Sequence, residues 1–270
     1  MGHPAGTLRA PQRVDDTRRR RRGGNRWTAV SLAFCAICSA TSGIEGAGAQ
    51  TLWDDPAFAL YRQAVEAMDR KDYAQAADLA GQAASRFPSH VLAYYLKGQA
   101  TAAAGGWAEA AFEKVVELYP ASFAGQRDLG TSYEHLGRAD DAIRAWDRAL
   151  ALQDSDDVRA NLAFLLVKEG RRPHALQQLG VLAEHGSTRA EVWTTIARLS
   201  YESGDLKASE KAFVQAVALK DDGRTWFNLG VVRARLNDSP GALDAFEHAA
   251  KHTDTKEQAQ KEIARIRGVR

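Results

Sequence analysis

The chain has 270 residues, 45% of them hydrophobic and 26% charged, and a net charge of +2. That length buries a substantial core, and seven prolines and two cysteines exclude both a disulfide scaffold and a proline-rich disordered chain. The charge is uneven: residues 1–50 carry eight arginines against three carboxylates, a net +5, which leaves −3 for the body. A mildly acidic body argues against nucleic acid as a partner, because phosphate binding needs clustered Lys and Arg.

The first predicted element is an export segment. The run Arg18 to Arg22 is followed by Gly23, Gly24, Asn25 and Arg26, then by an apolar run from Ala29 to Cys38. A small-residue stretch ends at Ala47-Gly48-Ala49-Gln50. Basic region, short apolar region and A-x-A form the layout of a secretory signal peptide. Residues 1–49 are therefore predicted to direct export to the periplasm or beyond, with a cut after Ala49, and residues 50–56 to act as a linker. The uncharged stretch from Trp27 to Ile44 has 18 residues, which reaches the lower limit for a bilayer span. The alternative is an uncleaved inner-membrane anchor facing the periplasm, which would touch the membrane only through residues 27–44. Cys35 and Cys38 form a C-x-x-C inside this apolar segment. With no βαβ pattern around them they are not read as a redox site.

The body repeats itself. From Leu129-Gly130 to Leu162-Ala163 is 33 residues, from there to Ile196-Ala197 is 34, and on to Leu229-Gly230 is 33. The spacing predicts six units, 57–90, 91–122, 123–155, 156–189, 190–222 and 223–254. Each is expected to be two amphipathic helices with apolar residues at i, i+3, i+4 and i+7. Turn signals divide the helices at Arg70-Lys71-Asp72, Gly105-Gly106, Gly137, Gly170-Arg171, Ser203-Gly204-Asp205 and Asn237-Asp238-Ser239. Gly98, Gly130 and Gly230 sit inside first helices, where each costs about 1 kcal/mol against Ala. That cost makes sense only if a neighbouring helix fills the space. Ala76, Ala142 and Ala242 play the reciprocal part on second helices, and Trp146, Trp193 and Trp226 are expected in the core. Residues 255–270 read as a capping helix with Ala259, Ile263 and Ile266 on one face and Gly268 as its stop.

This period and pattern resemble the tetratricopeptide repeat (TPR) family over residues 57–254. The resemblance implies an all-α fold, a right-handed α-solenoid of about six helix-turn-helix repeats. In that family, positions 2, 5, 9 and 12 of each first helix line a concave groove that binds partner segments. Carried over by position, the groove would show Tyr61, Val65 and Met68, then Tyr95 and Gln99. Arg127, Thr131 and Glu134 would follow, then Phe164 and Val167. Thr194, Arg198 and Tyr201 come from the fifth unit, and Phe227 and Val231 from the sixth. Exposed Tyr, Phe and Arg are typical interface anchors. The expected guest is a peptide segment or helix with apolar anchors and an acidic group near Arg127 or Arg198. Asn161 and Asn228 match part of a clamp for chaperone tails, but its lysines are missing, so that guest is not expected.

The sequence holds no G-x-x-x-x-G-K-[ST], G-x-S-x-G, H-E-x-x-H or G-x-G-x-x-G motif. No catalytic residue, cofactor or metal is predicted. His248 and His252, four apart, would share a helix face, but no third ligand is evident. The resulting expectation is a non-catalytic adaptor of the cell envelope that holds a protein partner. Its rivals are a self-associating scaffold, a hydrolase or a nucleic-acid-binding repeat protein, and the oligomeric state stays open.

Overall fold

A computed structural model describes residues 55–268. Among these residues there are thirteen helices and no strand. They follow as α1 (Pro56–Asp69) and α2 (Tyr73–Arg86), α3 (Val91–Ala103) and α4 (Glu109–Leu118), α5 (Phe123–His135) and α6 (Ala139–Leu152). Then come α7 (Asp156–Lys168) and α8 (Arg172–Glu184), α9 (Ala190–Glu202) and α10 (Leu206–Leu219), α11 (Gly223–Arg235) and α12 (Ser239–Ala249), and a last α13 (Lys256–Arg267). From α2 onward each helix packs chiefly on the helices before and after it, giving an all-α solenoid of helix pairs. The predicted export segment, residues 1–49, and most of the linker lie outside the described residues.

The glycines inside first helices are explained by what crosses them. A Cβ on Gly98 would lie 2.7 Å from the Phe112 ring, one on Gly130 2.4 Å from the Trp146 indole, and one on Gly230 2.7 Å from the Phe246 ring. All three rings are buried, and Trp146 and Phe246 completely so. Each bulky ring on a second helix therefore lies directly on the backbone of its first helix. The other pairs use different complements, such as Ala163 with Leu179, both fully buried. Ser209 takes an alanine slot without an orphaned hydroxyl, because its Oγ donates to the Ala197 carbonyl at 2.8 Å. Cores merge between pairs: Trp146, Leu162, Leu166, Leu179 and Val192 share one cluster spanning α6 to α9. Neighbours thus complete what a single pair cannot bury.

Local signals close the helices. Every turn inside a pair has one residue at positive φ: Lys71, Gly105, Gly137, Gly170, Gly204 and Asn237. Glycine adopts this conformation freely and Asn tolerates it, whereas Lys71 carries a Cβ against the following carbonyl. Asp72, Ser122, Asp205, Asp222 and Asp238 cap the helices that follow, each accepting from a backbone N–H. Three Asp-Asp pairs stand at the turns, Asp140-Asp141, Asp156-Asp157 and Asp221-Asp222, and of these Asp222 is such a cap. Asp140-Asp141 and Asp156-Asp157 instead lie in the first turns of α6 and α7, where negative charge suits the helix dipole. Pro173 and Pro240 fall in the first turn of α8 and α12, where a missing N–H is harmless. At the end, Ala259 is buried and Ile263 and Ile266 cover Phe246 and Ala249. Gly268, at φ 68°, stops α13.

Two tryptophans depart from the expectation of core burial. Trp146 is fully buried, but Trp193 and Trp226 are only half-buried. Their indole N–H groups donate to the Ser187 carbonyl at 2.8 Å and to Asp221 Oδ1 at 2.8 Å. The physical reason is their position, the fourth of the first helix. There a side chain fills the joint between successive second helices rather than the interior of a pair, so its polar edge stays near solvent.

Two stability outcomes follow. Gly130→Ala gains about 1 kcal/mol of helix propensity but loses about 1–3 kcal/mol to overpacking against Trp146. The melting temperature should fall, and Trp146→Leu added to Gly130→Ala should recover part of the loss, which a double-mutant cycle by circular dichroism checks. Lys71→Gly should raise the melting temperature, by about 1 kcal/mol of relieved backbone strain.

Candidate functional site

The groove positions carried over by repeat register fall on first helices α1, α3, α5, α7, α9 and α11. Eight of these positions are the main candidates: Tyr61, Tyr95, Arg127, Thr131, Phe164, Tyr201 and Phe227 are half-buried, while Arg198 is exposed.

The structure brings Tyr95 and Arg127 together across two repeats. The Tyr95 hydroxyl donates to Asp128 Oδ2 at 2.8 Å and accepts from Gln99 Nε2 at 3.0 Å. Arg127 donates through Nε to Asp128 Oδ1 at 2.6 Å, and through a terminal nitrogen to the Tyr95 hydroxyl at 3.3 Å. Burial, followed by the Asp128 charge, pushes the Tyr95 phenol well above its ordinary range. The hydrogen bond to Asp128 holds the Arg127 guanidinium in its charged form. Thr131 turns its hydroxyl back onto the Arg127 carbonyl at 3.2 Å. These residues form a polar bridge between α3 and α5. Arg127 is therefore not an open receptor for an acidic guest, because Asp128 already neutralises it.

The remaining candidates separate into packed and accessible groups. Tyr61 packs on Ala64, Ala80 and Leu96, with its ring 5.0 Å from the His90 imidazole. Phe164 covers the α6–α9 core, and Phe227 meets Phe246 at 5.3 Å between ring centroids. Arg198 reaches Glu202 at 3.4 Å, and Glu202 also faces Arg172 at 3.2 Å. Arg235 lies over the Tyr201 ring at 4.7 Å, a cation–π contact linking α9 to α11.

Sequence reasoning missed Asp128 and Arg235. Both lie one residue outside the groove register, at positions 6 and 13. The available signal was the 33-residue offset between Tyr95 and Asp128, one repeat period. His248 and His252 do not share a helix face, because α12 ends at Ala249. His248 stacks on Trp226 at 4.4 Å and His252 lies 3.2 Å from Asp221. The Trp226 hydrogen bond, then the His252 contact, hold the Asp221 carboxyl below the usual range. Among the described residues no group of three His, Cys, Asp or Glu is placed to hold a metal ion, and no helix is long and apolar enough to cross a membrane.

Stacked antiparallel helix pairs with a small-residue crossing at the eighth position define a class of helical repeat protein. The chain belongs to the tetratricopeptide repeat family, whose model matches residues 61–123, 103–158 and 194–257. The fold of that family is a scaffold for protein–protein interaction. Similar solved structures include YrrB, described as a TPR protein with an unusual peptide-binding site, at 18% identity and TM-score 0.60, covering 69% of this chain and 98% of that one. MamA is similar at 17% identity and TM-score 0.55, covering 62% and 94%. PilW, described as a type IV pilus biogenesis factor, is similar at 17% identity and TM-score 0.51, covering 77% and 98%. At these identities the likeness speaks for the fold. No curated protein matches the sequence.

The polar bridge has a pH signature. The folded-state pKa of Tyr95 lies above its ordinary value, so its contribution to stability is complete below about pH 10 and is lost as pH rises further. The melting temperature of the native chain should drop on that alkaline side, and Tyr95→Phe should flatten the drop. Ultraviolet titration of the phenols should show one fewer late-ionising group in the variant.

Proposed function

We propose that this chain is an exported, non-catalytic adaptor of the cell envelope that holds a segment of a partner protein along the groove of its first helices. The observation that carries this reading is the pattern of the groove register. Its residues are tied across repeats, by Tyr95 to Arg127 and Asp128 and by Tyr201 to Arg235, yet they keep polar and aromatic surface in reach of solvent. Preorganised Tyr and Arg side chains bind with little loss of conformational entropy. Arg198 is exposed and meets only Glu202, at 3.4 Å, so it replaces Arg127 as the preferred contact for an acidic group on the guest. The solved structure of YrrB, described as having a peptide-binding site, supports a protein partner by analogy of fold. The arginine-rich and apolar segment ending in Ala47-Gly48-Ala49 supports export.

The test is affinity capture on the full chain tagged after Arg270, with mass spectrometry of retained proteins and of the chain's own amino-terminal peptide. The expected result is a start at Gln50 and a reproducible envelope partner. Arg198→Glu combined with Thr131→Arg should weaken that capture about tenfold, with an unchanged helical melting curve. Undiminished capture by the double variant overturns the groove assignment, and an intact amino terminus overturns the cleaved export segment.

A further inference from the structure

One cleft lies away from the groove register. It is an open cavity of about 550 Å³ between second helices α4 and α6, floored by Gln126, Leu129 and Tyr133 of α5. That volume is in the range of small-ligand and short-peptide sites. None of the eight main groove candidates lines it.

The repeat register explains why it is open. Gln126 occupies the fourth position of its unit, where the second, fifth and sixth units place Tyr94, Trp193 and Trp226. Those rings fill the joint between successive second helices. Gln126 copies half of what a tryptophan does there: its Nε2 donates to the carbonyl six residues earlier, Pro120, at 3.5 Å, as Trp193 donates to Ser187 at 2.8 Å. It leaves out the ring and adds an acceptor. Gln126 is only 3% exposed, and its Oε1 has no hydrogen-bond partner among the described residues. A buried unpaired carbonyl is a standing cost that a ligand N–H would remove.

The walls and rim specify the rest of the ligand. Leu129, Val116, Ala145 and Leu152 give an apolar lining, and Leu152 is 44% exposed. At the rim, Asp141 is shared by Arg138 and Arg144. Glu117 is paired with Lys114, and Glu113 accepts from the Tyr133 hydroxyl at 2.7 Å. Arg148 also lines the cleft and has no ion-pair partner among the described residues. The charge left unsatisfied at the rim is therefore positive.

We propose that this cleft is a second docking site, which takes an extended segment of a partner protein through an apolar side chain over Leu129, a backbone N–H donated to Gln126 Oε1 and a carboxylate on Arg148. A backbone N–H is the donor an extended segment offers at fixed intervals, and a carboxylate is the natural complement of a guanidinium.

The test is selection of a random heptapeptide display library on the full chain, followed by fluorescence polarisation with one synthesised peptide from the enriched pool. The expected pool pairs an apolar residue with Asp or Glu. That peptide should bind the native chain and Arg198→Glu equally. Arg148→Glu and Gln126→Trp should each bind it about tenfold more weakly or worse. Gln126→Trp plugs the cleft as the sister repeats do, so its melting temperature should match or exceed the native value. If that variant does not fold, the exposed Arg148→Glu decides alone. No enriched pool, a pool without acidic residues, or a peptide indifferent to Arg148→Glu overturns the proposal. A peptide lost on Arg198→Glu alone speaks for the groove and against the cleft.

Discussion

The structure depends on the close crossing of the two helices in a repeat. Where an aromatic ring on the second helix lies on the first, as Trp146 does on Gly130, no side chain fits between them. The glycine gives up helix propensity of about 1 kcal/mol, and burial of a large ring returns more than that. The same crossing can be built from Ala163 with Leu179, with intermediate sizes on both sides. In each of these pairs a small residue on the first helix admits a larger one on the second, as close packing requires. That constraint sets the distance between helices, and hence where each groove position sits.

Around this joint the repeats differ in how they meet their neighbours. The polar bridge from Tyr95 to Asp128 and Arg127 joins α3 to α5 with directional bonds, while Arg235 over Tyr201 joins α9 to α11 with a cation–π contact. Both span one repeat, so they limit relative movement of adjacent pairs. They also decide which groove side chains remain available. Arg127 is held by Asp128, whereas Arg198 meets only an exposed glutamate one helical turn away. Two arginines of the groove register, at positions 5 and 9 of their units, thus offer different chemistry.

The outer joints vary in the same way. The fourth position of a first helix holds an aromatic ring in the second, fifth and sixth units, and Leu60, Gln126 and Arg159 in the others. With Trp226 it is closed and braced on Asp221 and His248. With Gln126 it becomes an apolar cleft with one unused acceptor and a charged rim. Repetition makes the contrast visible, because sister units show what a ring does in the same slot.

Much of the fold was legible in the sequence. The 33- and 34-residue spacings placed the helix pairs, Gly98, Gly130 and Gly230 marked the crossings, and Gly268 marked the end of the last helix. These signals are local, and they repeat, so each unit corroborates the next. The site was less legible. Helical register says which face a residue occupies, but not what the next repeat places beside it. Tyr95 reaches Asp128 and Arg235 covers Tyr201 only because the units stack at a particular distance. The sequence by itself determined the repeat, its period and its crossing points, because those follow from backbone sterics and apolar periodicity. The tertiary structure alone decided which polar groups are spent and which are free, because a side chain's partners include both chain neighbours and groups one whole repeat away.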